Sequence, residues 1–403
     1  MADTLSPPIS ITVRTGADQM LTDASGLIKG KRIGLLTNHT GRLSDGCSII
    51  DALGASGICQ LKALYGPEHG LTGTTPDGKA VNHTSHPAYG VPVYSLYGKH
   101  HKPTKEMLAG IDLLVCDIQD VGARFYTFIS TVALMMEACA ETNIPFILLD
   151  RPNPIRGLMV DGPIRVQSLK SFVGWMPIPV MHGLTLGELC SVWNGEGWLA
   201  NSVRAKLEVV PMQGWRRSMW FDETGLPWIP PSPNMKTLDT AIVYPGMCFI
   251  EGTTASEGRG TAKPFQMIGA PWLDADRVLA QLEQMNPQGV LLRTCEFSPR
   301  EIPGVASQPK FDSEVCRGIE ISVVKRECIA PVQLGIMILA AMKRVHPQEM
   351  ILRHRRFDIL TGNASIREQL DRDVPHAEIV ASWSSELNTF RMIRSKYLLY
   401  KEA

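Results

Sequence analysis

The sequence predicts an α/β fold in which helices cover both faces of a parallel sheet, followed by a second, α+β domain. The first observation is that near-continuous apolar runs alternate with helix-compatible stretches over residues 1–150. Such runs are typical of strands buried on both faces, and their alternation with helices is typical of parallel sheets. The second observation is a change of composition after residue 150, where Pro, Gly and Trp become frequent.

Five apolar, β-branched runs mark the predicted strands of the N-terminal domain. They lie at 32–36, 61–64, 91–94, 113–116 and 145–149. Helices are predicted between them at 48–56, 104–109 and 121–142. The clearest part is 125–140, where apolar residues recur at the three- and four-residue steps of a helix face. Asp120 is predicted as the N-cap of this helix, because its side chain can accept hydrogen bonds from the first free N–H groups.

The second half begins at a proline-rich turn, 151–157. Strands are predicted at 207–210, 240–243, 290–295 and 318–324, and helices at 184–195, 274–285, 331–345 and 381–399. Thr185 or a neighbour is predicted to cap the first of these helices. We therefore divide the chain into an N-terminal catalytic domain, 1–160, and a C-terminal α+β domain, 161–403.

The composition argues against several classes of partner. The 403 residues carry 40 basic and 40 acidic side chains, and this zero net charge gives no electrostatic attraction for nucleic acid or an anionic membrane. No apolar run approaches the ~18 residues of a membrane span, so no membrane insertion is expected. The sequence does not indicate an oligomeric state.

The cysteines and the N-terminus bear on localisation. Nine cysteines are scattered singly without a CxxC pair, which fits a reducing cytoplasm. The N-terminus lacks the basic start and apolar core of a signal peptide. We therefore expect a cytoplasmic protein, whereas a trimmed leader would make it secreted or periplasmic.

Polar clusters follow four of the predicted strands. They comprise Asn38 after the first strand, Glu68 and His69 after the second, Asp117, Gln119, Asp120 and Arg124 after the fourth, and Arg151 and Asn153 after the fifth. The carboxyl ends of parallel strands share one edge of a sheet, where ligands of α/β proteins bind, so we expect an active site there. Several of these residues also have a structural interpretation as turn caps, loop ligands or ion pairs. The structural interpretation is weakest for Glu68, because a Pro-Glu-His turn gives its carboxylate no evident structural role.

Two further candidates lie in the second half. His182 comes just before a predicted helix, whose N-terminus can hold an anionic group. The loop 251–261 is rich in glycine and carries Glu257 and Arg259. Because glycines let the backbone approach a ligand closely, we interpret this segment as a substrate-contact loop.

Several standard chemistries lack their motifs. The sequence contains no GxGxxG after the first strand, no GxxxxGK[ST], no GxSxG and no HExxH, which disfavours dinucleotide binding, a P-loop, an α/β-hydrolase and a zinc peptidase. Carboxylates, histidines, amides, arginines and aromatic residues remain. This set suits glycosidic chemistry, where carboxyl groups flank the scissile bond and aromatic rings stack on sugars.

An ordered series of motifs resembles a bacterial family first described only as a domain of unknown function, the exo-β-N-acetylmuramidases. The series comprises GLLTNHTG, LYGPEHG, DIQDVGARFYTF, LDRPNP, MHGLTLGEL, PPSPNM and EGTTASEGRGT, and a closing stretch with Trp383, Phe390, Arg394 and Tyr397. The resemblance implies a Rossmann-like N-terminal domain, a smaller C-terminal domain and an active-site cleft between them. It implies release of N-acetylmuramic acid from the non-reducing end of peptidoglycan fragments, with the catalytic glutamate at Glu68. It implies no metal or nucleotide cofactor.

Within that framework the candidate residues receive hypothetical roles. Glu68 is the general acid, and His69 has a supporting role. The second catalytic group stays open between Asp117, Asp120, Glu257 and the 2-acetamido group of the substrate. The lactyl carboxylate of muramic acid would be bound by Arg124, Arg151 or Arg259. The remaining predicted substrate-binding residues are Asn38, Gln119, Tyr126, Asn153 and His182.

Two alternatives belong to different functional classes. One is a hydrolase of another small ester or amide, and the other is a non-catalytic protein that binds muropeptides or other sugars. A nucleotide-dependent enzyme is a weaker third alternative. The density of titratable groups at the strand ends disfavours simple binding.

Overall fold

A seven-stranded sheet forms the frame of the N-terminal half. The computed structural model describes residues 13–75, 78 and 84–402. The strands of the sheet are β1 (Arg32–Thr37), β2 (Gln60–Gly66), β3 (Thr84–Ser85), β4 (Pro92–Ser95), β5 (Leu113–Asp117), β6 (Phe146–Leu149) and β7 (Leu207–Val210). All five predicted N-terminal strands are confirmed.

The strand order is β3-β4-β2-β1-β5-β6-β7, and every neighbouring pair is parallel except β3 with β4. The chain adds β2 and β4 on one side of β1 and then β5, β6 and β7 on the other. This is the doubly wound, Rossmann-like pattern, and it confirms the predicted α/β class. The strand ends that carry the predicted polar clusters therefore lie at one edge of the sheet.

Four helices accompany this sheet: α1 (Gly16–Leu21), α2 (Ile49–Ala55), α3 (Thr127–Glu141) and α4 (Leu186–Gly195). α3 is buried along nearly its whole length, as its apolar pattern predicts. Thr185 caps α4, and Glu188 completes a capping box by accepting from the Thr185 N–H, which confirms that prediction.

A three-stranded antiparallel sheet and seven helices make up the remainder of the described chain. The strands are β8 (Met267–Ala270), β9 (Val290–Phe297) and β10 (Cys316–Val323), in the order β8-β10-β9. The helices are α5 (Leu238–Met247), α6 (Ala275–Met285), α7 (Pro331–Val345), α8 (His354–Thr361), α9 (Ala364–Asp371), α10 (His376–Ala381) and α11 (Ser384–Ser395). The largest cluster of buried side chains runs from β1 to α11, so both halves share one core.

Three local predictions are wrong. Residues 240–243 lie inside α5 and not in a strand, because a four-residue apolar run fits either element and Thr237 caps a helix there. Residues 104–109 form hydrogen-bonded turns between Pro103 and Gly110. Asp120 does not cap α3, because the N-cap of this helix is Tyr126, six residues further along the chain.

The predicted domain boundary near residue 160 stays a prediction. β7 lies beyond that point, yet it pairs with β6 in the large sheet. Within the described ranges, no helix is both long enough and apolar enough to cross a bilayer.

Candidate active site

Glu68 lies in the turn that follows β2, and both its carboxylate oxygens are held. Oε1 accepts a hydrogen bond from the Gly78 N–H at 3.0 Å, and Oε2 accepts one from the Thr127 hydroxyl at 2.6 Å. The residue is only 8% exposed. Two donors from different segments therefore fix the direction in which this carboxyl group points.

The turn itself has an unusual backbone. Pro67 ends the strand, and His69 and Gly70 both take positive φ values, 70° and 73°. For a histidine this left-handed conformation is uncommon, and such residues cluster at functional sites. The His69 ring is buried, and its Nδ1 lies 2.6 Å from the Thr75 carbonyl oxygen. His69 therefore shapes the loop that carries Glu68.

Thr127 is the first residue of α3, so Glu68 lies at the N-terminus of a long buried helix. Free N–H groups and the helix dipole make such a position favourable for negative charge. The local order of β2, turn and helix start thus places the Glu68 carboxyl group at the N-terminal end of α3.

Glu68 faces a cavity of about 550 Å³, a size typical of small-molecule sites. One wall comes from the strand-end loops and α3, through Glu68, His69, Tyr126 and Thr127. A second wall comes from the C-terminal half. The members of that wall include Tyr244, Cys248, Glu251, Arg259, Phe265, Arg356, Ile359 and Leu360. The site is a cleft between the two halves of the chain.

Aromatic rings form much of the cleft. Tyr244 makes edge-to-face contacts with Phe125, Tyr126 and Phe265, at centroid distances of 5.2, 6.1 and 4.8 Å. Nearer to Glu68, His101 lines the cavity 4.1 Å from the Phe172 ring. Burial lowers the pKa of His101, and the Glu68 carboxylate partly opposes this shift. The cleft thus offers apolar ring faces and few charges on its N-terminal side.

Charge is concentrated on the C-terminal wall. Glu251 accepts hydrogen bonds from Arg259 at 2.9 Å and from Arg356 at 2.8 Å, one on each carboxylate oxygen. Burial alone would raise the pKa of Glu251, but the two guanidinium groups outweigh it and lower the pKa. Glu251 is therefore held as a carboxylate.

The other predicted residues at the strand ends lie outside this cleft. Arg151 forms a bidentate pair with Asp117, from Nε to Oδ1 at 2.5 Å and from Nη2 to Oδ2 at 2.8 Å. It also donates to the Arg42 carbonyl at 2.6 Å. Both side chains are buried, and each carries the charge that balances the other.

The loops after β1 and β5 are bonded to each other. Asn38 Oδ1 accepts from the Thr40 hydroxyl at 2.6 Å, and Thr40 Oγ1 accepts from the Gln119 N–H at 3.2 Å. The Gln119 side chain donates to the Asp120 and Pro152 carbonyls. The adjacent crevice measures only about 20 Å³. The switch point of the sheet, where nucleotides bind in related folds, is thus filled by the protein itself.

Asp120, His182 and Asn153 form a buried group near the start of α4. Asp120 Oδ2 accepts from the Gly122 N–H at 2.7 Å and lies 3.5 Å from His182 Nε2. His182 Nδ1 accepts from the Leu184 N–H, and Asn153 donates to the Leu184 carbonyl. These contacts hold loops together, and none of the three lines the cleft.

Arg124 and Glu257 also have protein partners. Arg124 is buried and donates to the carbonyls of Pro163, Ile178 and Leu360, and burial lowers its pKa to about 9. Glu257 lines a smaller cavity of about 210 Å³ next to the cleft and pairs with Lys310 at 3.1 Å. Among the predicted site residues, the cleft therefore brings together Glu68, His69, Tyr126 and Arg259.

The cleft residues that the sequence analysis missed include Thr127, Glu251 and Arg356. Thr127 follows Tyr126 in the same motif, so a correct helix start would have indicated it. Glu251 opens the glycine-rich loop, and its position there was a usable signal. Arg356 lies in a run of basic residues on α8 that resembles an ordinary solvated surface.

Comparisons with known proteins find similar sequences and similar folds. The family model described as "Exo-beta-N-acetylmuramidase NamZ, N-terminal" matches residues 33–239, and the model of the C-terminal domain of the same family matches residues 242–400. The peptidoglycan beta-N-acetylmuramidase NamZ of Bacillus subtilis (strain 168) is 42% identical over 389 residues, 96% of this chain and 91% of that protein.

Two solved structures, both DUF1343 family proteins from Bacteroides fragilis NCTC 9343, share the fold. One has a TM-score of 0.88 at 36% identity, covering 97% of this chain and 100% of that one. The other has a TM-score of 0.78 at 34% identity, covering 97% and 99%.

Proposed function

The chain belongs to the exo-β-N-acetylmuramidase NamZ family, and on that premise we propose that Glu68 is the general acid of its reaction. The protein is an exo-acting glycosidase that releases N-acetylmuramic acid from the non-reducing end of peptidoglycan-derived glycans. The family membership favours this function over the two alternatives, a small-ester or amide hydrolase and a non-catalytic sugar-binding protein. The observation that carries the role of Glu68 is its buried, doubly oriented carboxyl group facing the cleft.

In this mechanism Glu68 protonates the glycosidic oxygen as the bond to the muramic ring breaks. The Thr127 hydroxyl supports both charge states, because a hydroxyl donates to a carboxylate and accepts from a protonated carboxyl group. The Gly78 N–H holds the other oxygen. The proton therefore starts from a fixed position, which is what efficient general acid catalysis requires.

For the second catalytic group, we favour the 2-acetamido group of the substrate. Glu68 and Glu251 are the two carboxylates on the cleft wall among the described residues, and Glu251 is neutralised by two arginines. The carboxylates of Asp117 and Asp120 lie outside the cleft, where the first pairs with Arg151 and the second accepts from the Gly122 N–H. An acetamido oxygen that attacks the anomeric carbon needs no protein nucleophile, and such assistance retains the anomeric configuration.

Glu68→Gln tests the general acid. General acid catalysis contributes roughly 10²- to 10⁴-fold, so we expect kcat on a β-linked muramoside to fall by about a thousandfold with an unchanged circular dichroism spectrum. Glu106→Gln, an exposed glutamate that is absent from the cleft wall, is the matched control. Near-normal turnover by Glu68→Gln would remove the assignment.

Substrate assistance has its own test. A muramoside with a trifluoroacetamido group in place of acetamido should react far more slowly, because fluorine withdraws electron density from the attacking oxygen. Proton NMR of early product should show the β-anomer. An α-anomer as first product would exclude this route and indicate a protein-bound water as nucleophile.

We further propose a cytoplasmic location. All nine cysteines are free thiols, and five of them are buried, an arrangement that suits a reducing compartment. Immunodetection after cell fractionation tests this proposal, and recovery of the protein outside the cytoplasmic fraction would contradict it.

A further inference from the structure

Arg259 and Arg356, here called the arginine pair, line the same cleft as Glu68. Each donates from Nη2 to a different oxygen of Glu251, at 2.9 and 2.8 Å. The shared carboxylate keeps the two guanidinium groups side by side. Arg259 is further fixed by the Phe265 ring, whose centroid lies 5.0 Å from its Cζ.

A lysine and a second glutamate adjoin the arginine pair. Behind it, Lys310 Nζ lies 3.1 Å from Glu257, whose other oxygen is 3.6 Å from Arg259 Nε. Glu257 thus contacts both Lys310 and Arg259, while Glu251 holds Arg259 and Arg356 side by side.

Arg356 is the member of the pair with donors to spare. In the described part of the chain, its guanidinium donates one hydrogen bond, to Glu251, although it carries five N–H groups. About half of its side chain, 49%, is exposed. It lines both the cleft and the adjoining cavity of about 210 Å³. A carboxylate entering the cleft can therefore reach it.

The substrate carries one group that fits this site. N-acetylmuramic acid differs from N-acetylglucosamine by a lactyl ether, which ends in a carboxylate. We propose that Arg356, together with Arg259, binds this lactyl carboxylate and thereby selects muramic acid, while Glu251 positions the arginine pair. The inference rests on the proposed function, because the cleft must hold the muramic ring.

The other arginines considered for this role are excluded by their contacts. Arg124 donates hydrogen bonds to three backbone carbonyls, and Arg151 forms a bidentate pair with Asp117. Neither lines the cleft. Among the arginines considered, only Arg259 and Arg356 line the cleft, where Glu251 holds them in a fixed orientation.

Sugar binding in the Glu68→Gln background separates this inference from the catalytic one. This variant is expected to bind sugars without turnover, and isothermal titration calorimetry then compares N-acetylmuramic acid with N-acetylglucosamine. Hydrogen bonds to charged groups contribute about 1.5–3 kcal/mol, so adding Arg356→Gln should weaken muramic acid binding by about 10- to 100-fold. Binding of N-acetylglucosamine should change less than about twofold, since that sugar has no carboxylate.

Three controls make the result decisive. Arg355→Gln removes the same charge from the next residue of α8, which is exposed and lies on neither cavity wall, and should leave both affinities unchanged. Arg356→Lys keeps the charge without the planar fork and should restore part of the lost affinity. The methyl ester of N-acetylmuramic acid should bind the Glu68→Gln parent and the Arg356→Gln variant equally.

The outcomes distinguish the two proposals. Equal loss of affinity for both sugars, or no loss for either, would overturn the lactyl assignment and leave the role of Glu68 intact. Retained turnover in Glu68→Gln would overturn the general acid, whereas the difference between the two sugars would still report on Arg356.

Discussion

At the scale of single residues, Thr127 allows the orientation of Glu68 to be separated from its presence. Its hydroxyl lies 2.6 Å from Oε2 and anchors the carboxyl group to the start of α3. Without that contact the acid group stays in the cleft but samples other rotamers. A misplacement of about 1 Å in a catalytic group can reduce the rate by about 10²-fold.

We therefore expect Thr127→Val to lower kcat by about 10- to 100-fold while KM changes little. Thr127→Ser, which keeps the hydroxyl, should recover most of the activity. Steady-state kinetics on a chromogenic β-muramoside measures both parameters. If valine and serine variants were equally active, the hydroxyl contact would have no catalytic role.

The pair of Asp117 and Arg151 shows what the sequence reveals about single residues and what it does not. Asp117 is the last residue of the buried strand β5 and Arg151 follows the buried strand β6, so the pattern correctly places both at the polar edge of the sheet. Their pairing depends on the side-by-side register of β5 and β6, which no local pattern encodes. The same features predict a functional residue or a structural ion pair, and only the three-dimensional contacts distinguish them.

Breaking this pair should affect stability. Arg151→Met leaves the Asp117 carboxylate buried without its partner, which typically costs about 3–5 kcal/mol of unfolding free energy. Arg32→Met is the matched control, because Arg32 pairs with Asp112 at the surface, and exposed pairs contribute at most about 1 kcal/mol. Urea denaturation measures both. Equal costs for the two variants would contradict the structural role of the buried pair.

At the scale of elements, close packing explains why α5 is a helix although its apolar run resembles a strand. Gly246 on α5 meets Gly335 on α7, and a Cβ built on Gly335 would lie 2.5 Å from the Gly246 carbonyl oxygen. The two helices cross at this point without side chains between their backbones. The identity of α5 thus depends on a partner helix almost ninety residues away in the chain, beyond the reach of a short sequence window.

Gly335→Ala should therefore destabilise the protein by about 1–3 kcal/mol, although alanine is the better helix former. Gly26→Ala is the control, because a Cβ there meets nothing within 4 Å, and its effect should be near zero. Thermal unfolding followed by circular dichroism compares them. A neutral Gly335→Ala would mean that α5 and α7 separate at little cost.

At the scale of the whole molecule, the end of the chain closes back on the N-terminal sheet. The Tyr400 hydroxyl donates to Asp150 Oδ2 at 2.6 Å, just after β6, and accepts from the Met212 N–H at 3.0 Å. The Leu399 N–H donates to Glu188 on α4. One of the polar strand ends predicted to serve the active site thus serves instead to dock the chain's last residues. The alternation of strands and helices predicts the shared edge of the sheet, but the division of that edge between cleft and docking site depends on contacts across the whole chain.

This docking should make stability depend on pH. Burial raises the pKa of Asp150 to about 6, while hydrogen bonds from Tyr400 and Thr185 oppose the shift. The folded protein therefore holds this proton more tightly than the unfolded chain does. The contribution of Asp150 to stability is largest below its usual pKa of about 4 and declines as the pH rises through about 6.

Tyr400→Phe removes a donor that favours the charged form of Asp150. Above pH 6 the lost hydrogen bond is to a carboxylate and should cost about 1.5–3 kcal/mol, whereas below pH 6 it is to a neutral carboxyl group and should cost about 0.5–1.5 kcal/mol. Unfolding free energies from urea titrations at pH 5 and pH 7.5 measure the difference.

Tyr397→Phe is the matched control, because the hydroxyl of Tyr397 donates to Glu196 at the surface. Tyr397 and Lys396 lower the pKa of Glu196, so that carboxylate is charged at both pH values and the control should cost the same small amount at each. If Tyr400→Phe also cost the same at both, Asp150 would not titrate in this range, and the chain end would be held by packing against Trp215 and not by its hydrogen bond to the sheet.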